Sequence, residues 1–170
     1  MIEFMVLSAP RSASTWAANW LTTEETLCLH DPLWGRHYSE LDSILSQRRL
    51  GLADTGLAKF PDFLAAHPAR KLVLHRDLGD CSASLVELGF GQLKHWEGVL
   101  DRIEGWHVPW TDLFDPDKAK PIYEHLLEME FDAERHALLR DMHVQPRFAN
   151  INATDAMRKN AKRLLQELRS

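Results

Sequence analysis

The chain has 170 residues, a formal net charge of −5, 45% hydrophobic residues and 26% charged ones; the length suits one compact domain, and the composition excludes disordered and fibrous classes. The acidic balance argues against broad affinity for nucleic acid, no apolar run approaches the ~20 residues that span a bilayer, and the N-terminus lacks the basic start and long apolar core of a secretory signal. A cytoplasmic chain is expected, with Cys28 and Cys81, which show no zinc spacing, as buried thiols rather than a disulfide.

EFMVLSA reads as a buried strand, and Trp16, Trp20 and Leu21 then recur at helical spacing, so the period changes from strand to helix across the turn SAPRSASTW. Thr26 to His30 (TLCLH) is a second strand closed by Asp31-Pro32. This succession predicts a βαβ unit whose two strands are neighbours in a parallel sheet. Ser39 and Asp42 have the spacing of a capping box, opening a helix with Leu41, Ile44 and Leu45 on its buried stripe. LGLADTG suits a third strand ending at a glycine turn, followed by a short helix broken at His67-Pro68.

Lys71 to Asp77 (KLVLHRD) is the clearest strand, an unbroken apolar run bounded by charges that suits a central parallel position. The next helix runs through Leu85 and Leu88 to Gly89, and a further amphipathic helix carries Leu93, Trp96, Val99, Leu100 and Ile103. WHVPW is a brief strand that Pro109 confines to an edge. Asp115-Pro116 opens another helix, Asp132 caps one holding Leu138, Leu139 and Met142, and Thr154 caps a last one lined by Met157, Ala161, Leu164, Leu165 and Leu168. The fold class expected is α/β: a single domain over residues 1–170, with a central parallel sheet flanked by helices and a helix-rich C-terminal half.

A small-residue turn between a strand and a helix commonly cradles an anion. Laid over residues 8–15, the nucleotide-binding template G-x-x-x-x-G-K-[ST] fails at Ser8, Ala13 and Ser14 and fits only at Thr15. The lysine is missing, but Arg11 stands inside the loop, where its planar guanidinium can fork onto two oxygens of a phosphate or sulfate.

PRSASTW resembles the phosphosulfate loop of the sulfotransferases that use 3′-phosphoadenosine 5′-phosphosulfate (PAPS). Pro10, Arg11, Ser12, Ser14, Thr15 and Trp16 match, and Ala13 stands where that family has glycine. If the position needs a positive φ, alanine costs about 0.5 to 1 kcal/mol or more there. LVLHRDLGDCSASL is similar to the family's second landmark, an arginine at a strand end and a serine eight residues on, here Arg76 and Ser84.

The resemblance implies a three-layer P-loop domain and PAPS as co-substrate, held by Arg11, Ser12, Ala13, Ser14, Thr15, Trp16, Arg76 and Ser84. A sulfuryl group carries less charge than a terminal phosphoryl group, so no metal is required. Catalysis then falls to Arg11 as the cation on the leaving oxygen and to His30 or Asp31 as the base, since both end the second strand at the same sheet edge. Asp31 could instead orient His30; His75 and Asp54 rank behind them. The acceptor is a hydroxyl or amine on a small or glycan-like molecule, and Trp34 is placed to wall its pocket.

The basic stretch Met157 to Lys162 is the only stand-in for the basic loop that often completes the 3′-phosphate site. Two other functions fit the same loop: a Mg-ATP-dependent phosphotransferase with Asp54 on the metal, and a non-catalytic nucleotide-binding protein. His37, His67, His95, His107, His125, His136 and His143 show no metal-binding spacing and read as surface or partly buried residues.

Overall fold

The computed structural model of the chain describes residues 1–33 and 37–141. Within them, β1 (Ile2–Ser8), β2 (Thr26–His30), β3 (Arg49–Asp54), β4 (Arg70–His75) and β5 (Trp106–Pro109) form one parallel sheet in the order β2-β3-β1-β4-β5. Five helices accompany it: α1 (Ser14–Trp20), α2 (Pro61–Ala66), α3 (Leu78–Glu87), α4 (Pro116–Leu127) and α5 (Ala133–Arg140).

The central strand β1 is apolar from Phe4 to Leu7 because both its faces are covered there, as in interior parallel strands generally. Successive side chains alternate between those faces. Phe4 and Val6 join Trp20 of α1, Tyr123 and Leu126 of α4 and Leu139 of α5; Met5 and Leu7 join Leu57, Leu64 of α2 and Cys81 of α3. The result is an α/β fold with helices on both faces of the sheet. Gly51 of β3 is required by this packing, since an added Cβ would lie 2.0 Å from the Phe4 ring.

The βαβ expectation placed β2 against β1, but β3 takes that position, pairing with β1 on one side and β2 on the other. A parallel crossover is long enough for a later strand to enter the gap. The edge position agrees with the burial of β2, whose Leu27 and Leu29 are only partly covered.

Two expected helices are not α-helices. Tyr38–Ser43 is a 3-10 turn, capped by the His37 ring, which accepts from the Ser39 N–H, rather than by Ser39; Leu41 is buried but Leu45 is 92% exposed. The segment from Leu93 to Ile103 forms only the 3-10 turn Leu100–Arg102, because His95 and Gly98 adopt left-handed φ values of 61° and 64° that a helix cannot absorb. Trp96, Leu100 and Ile103 are buried nonetheless.

The other expected elements that fall within the described residues form. Asp115 and Asp132 cap α4 and α5 through the N–H groups of Asp117 and Arg135, although Leu138 faces solvent. His136, expected at the surface or partly buried, lies in the core: it packs edge-on against Trp16 and Trp20, with Nε2 2.8 Å from the Leu113 carbonyl. Cys28 and Cys81 are buried free thiols, and burial pushes the Cys28 thiol up. Trp34, Met142, His143, the helix expected after Thr154 and the basic stretch from Met157 to Lys162 lie outside the described residues. Among the described residues no helix is long and apolar enough to cross a membrane.

Candidate functional site

The strand order fixes where a ligand fits. The chain leaves β1 toward β2 on one side and leaves β4 toward β5 on the other, so a crevice opens between the carboxyl ends of these adjacent strands. The loop that carries Arg11 follows β1, and Arg76 follows β4 with Ser84 on the helix after it. Both landmarks therefore meet at the crevice.

Arg11 and Ala13 both adopt left-handed backbone, with φ of 71° and 65°. This conformation costs a non-glycine residue about 1 to 2 kcal/mol, and here it bends the chain within the few residues between strand and helix. Ser12 is fully buried, and its Oγ lies 3.4 Å from Cys81 Sγ, which ties the loop to α3. Arg11 Nε donates to Ser84 Oγ at 2.9 Å, and Arg76 Nη1 donates to the Arg11 carbonyl at 2.6 Å. The Arg76 guanidinium lies 4.6 Å over the Trp110 ring, and its Nε is buried with no hydrogen-bond partner among the described residues.

Burial, and after it the like charge of Arg76, hold the Arg11 guanidinium below its ordinary value. An anion shared by the two arginines would relieve this repulsion and give the buried Nε an acceptor. Two guanidiniums and a hydroxyl from separate segments thus make a donor set for anionic groups.

On the other flank of the loop, His30 reaches the start of α1 from the edge strand. Its Nε2 lies 3.0 Å from Ser14 Oγ, 3.1 Å from Thr15 Oγ1 and 3.3 Å from Asp31 Oδ2. Asp31 is fixed in turn, because its Oδ1 accepts from the Thr55 N–H at 2.8 Å and the Thr55 hydroxyl at 3.1 Å. About a third of each side chain stays open to solvent, 35% for His30 and 29% for Asp31, so a reacting group has access.

Other candidates are placed elsewhere or committed to the fold. Trp16 turns into the core, its indole N–H donating to the Leu139 carbonyl, so it anchors α1 and does not face the crevice. Asp54 closes the turn after β3 by accepting from the Gly56 and Leu57 N–H groups at 2.7 and 2.8 Å, and burial pushes its carboxyl up. His75 stacks on His107, with Nε2 2.8 Å from Nδ1, while His107 Nε2 lies 2.7 Å from the Ile103 carbonyl.

Two features escaped the sequence. Trp110, under Arg76, follows directly on β5 and so shares the carboxyl edge; the sequence signal was the end of WHVPW. A cleft of about 540 Å³ lies beside Pro10 and Asp31, walled by Tyr38, Phe60, Leu85 and Phe90. Its walls come from separate segments that only the strand order brings together. Compared with protein-family models and with curated proteins, the chain matches none.

Proposed function

We propose that the chain is a sulfotransferase of P-loop type that moves a sulfuryl group from PAPS to a hydroxyl or amine acceptor. One observation carries the reading: Arg11 of the first loop, and Arg76 and Ser84, 65 and 73 residues further on, join in one hydrogen-bonded cluster at the crevice between β1 and β4. Arg11 takes the 5′-phosphosulfate end and Arg76 with Ser84 the 3′-phosphate, the ligand replacing the bond between Arg11 and Ser84. PAPS supplies the sulfuryl group and a phosphate leaving group. The acceptor atom bonds to sulfur as the bond from sulfur to the bridging phosphate oxygen breaks, and that oxygen keeps the electron pair.

His30 is the base in this reading, and Asp31, whose Oδ2 lies 3.3 Å from the same Nε2, stabilises the imidazolium once that nitrogen is protonated. The hydroxyls of Ser14 and Thr15 share His30 Nε2, so a sulfuryl group held by those hydroxyls lies beside the proton acceptor. Imidazole is the side chain most often used as a general base.

Thermal unfolding with 3′-phosphoadenosine 5′-phosphate, without metal, tests the reading. At 100 times its Kd this product should raise stability by about 2.7 kcal/mol. A response to Mg-ATP alone would refute it. His30→Ala should retain product binding and lose sulfuryl transfer; binding without PAPS turnover in the unaltered chain would favour the non-catalytic alternative.

A further inference from the structure

Arg11, Arg76 and Ser84 address only the nucleotide, whereas the cleft beside Pro10 has the volume of a small-molecule site, about 540 Å³. From this cleft we infer that the acceptor is a small amine on an apolar, ring-sized body, its ammonium held by Asp31 and Asp54 and its body against Tyr38, Phe60 and Phe90. The inference rests on the sulfotransferase reading and deepens it.

Three observations select this class. The walls are apolar, and the Tyr38 and Phe60 rings lie 4.9 Å apart, so a sugar would leave several hydroxyls facing carbon with no partner. Phe60 and Phe90, which line this cleft, are 41% and 51% exposed, leaving aromatic surface for a ring-sized body to cover. Two carboxylates, Asp31 and Asp54, line the cleft against a single ammonium, Lys59, which lies 5.1 Å over the Trp96 ring. That excess of negative charge favours a cation over a neutral alcohol of the same shape.

The position also suits the chemistry. Asp31 lies within 3.3 Å of His30, so an amine bound at Asp31 is beside the group that takes its proton. The ammonium gives one proton to His30, its nitrogen bonds to sulfur as the sulfur–oxygen bond breaks, and the second proton leaves for water to give a sulfamate.

Ligand-observed NMR on the full chain tests this, first for 3′-phosphoadenosine 5′-phosphate and then, with that nucleotide bound, for 2-phenylethylamine, 2-phenylethanol and glucosamine. The amine should bind at least about tenfold more tightly than the alcohol, and glucosamine should bind most weakly. Asp54→Asn keeps an acceptor for the Gly56 and Leu57 N–H groups and should erase the preference for amine over alcohol. Phe90→Ala, at an exposed position, should weaken both aromatic probes. Equal binding of amine and alcohol, tighter binding of glucosamine, or an amine preference that survives Asp54→Asn would each overturn the inference while leaving nucleotide binding intact. Failure of the nucleotide itself to bind would overturn the sulfotransferase reading, and this inference with it.

Discussion

At the amino edge of the sheet Arg49 and Arg70 face Glu3 and Glu128, whereas at the carboxyl edge Arg11 faces Arg76 and Asp54 feels the charge of Asp31. The first group alternates in sign. Arg49 Nε lies 2.8 Å from Glu3 and its Nη1 donates to the Leu127 carbonyl at 2.6 Å, while Arg70 pairs closely with Glu128 and holds that carboxyl below its usual range. The second group is sorted by sign into two neighbouring places, a cationic crevice and an acidic cleft, separated by the loop after β1. Charges that only close a fold neutralise one another. Charges gathered by sign oppose folding and are favoured when a ligand brings the complement.

Replacing Arg11 with Ala breaks the comparison at its strongest point. Affinity for 3′-phosphoadenosine 5′-phosphate should fall about 100-fold, as expected for losing a charge-assisted forked contact, while the melting temperature changes little. Titration calorimetry measures the first quantity and thermal unfolding the second; an affinity within twofold of the original would mean that the clustering of Arg11 and Arg76 is incidental. Arg49→Ala should do the reverse. Unfolding in urea should show a loss of about 1 to 3 kcal/mol, because the Leu127 carbonyl and Glu3 both lose a charged donor, with nucleotide affinity unchanged.

Much of this layout was legible in the sequence, because β1 and β4 carry unbroken apolar stretches at Phe4–Leu7 and Leu72–Leu74 and Asp115 and Asp132 are residues suited to helix capping. The strand order was not. Apolar pattern tells which strands are covered but leaves open which of two parallel strands lies beside the first, so β2 was expected where β3 is found. The helix expected from Leu93 to Ile103 failed for a local reason, the left-handed residues His95 and Gly98, although its apolar residues were rightly placed in the core. Arg11, Arg76 and Ser84 were singled out by the loop resemblance, and they come together because Arg11 and Arg76 follow adjacent strands and Ser84 lies on the helix after Arg76. The cleft was not, because Tyr38, Phe60 and Phe90 lie in turns and loops whose meeting depends on that strand order.

A smaller effect separates the two edges by pH. Burial raises the Asp54 carboxyl, so the unfolded chain releases that proton first and folding stability falls as pH rises above the ordinary value of 3.8. Asp54→Asn should therefore gain stability over the original chain above pH 3.8 and show no gain well below it. Glu128 has the opposite sign: Arg70 lowers its carboxyl, so its contribution is present above 4.5 and is lost as pH falls. Glu128→Gln should thus be less stable than the original at neutral pH and equal in strong acid. Urea titrations at several pH values check both, and two variants with the same sign would erase the distinction between the edges.

The smallest effect concerns the loop between the two sorted groups. Ala13 sits at φ 65° and ψ 17°, where a side chain costs about 1 to 2 kcal/mol and glycine costs nothing. Ala13→Gly releases that strain, but the greater freedom of glycine in the unfolded chain returns about 0.4 to 1 kcal/mol, and the Ala13 methyl gives up a partial contact with the core. A net gain of about 0.5 kcal/mol in urea unfolding is expected, with nucleotide affinity unchanged because the backbone path stays the same. A loss of stability would mean that the methyl's packing outweighs the strain, making alanine a structural choice at this position. A weaker grip on the nucleotide despite higher stability would show instead that the strained alanine holds the loop's N–H groups and Arg11 in their binding orientation, so that part of the folding energy is stored where the anion must land.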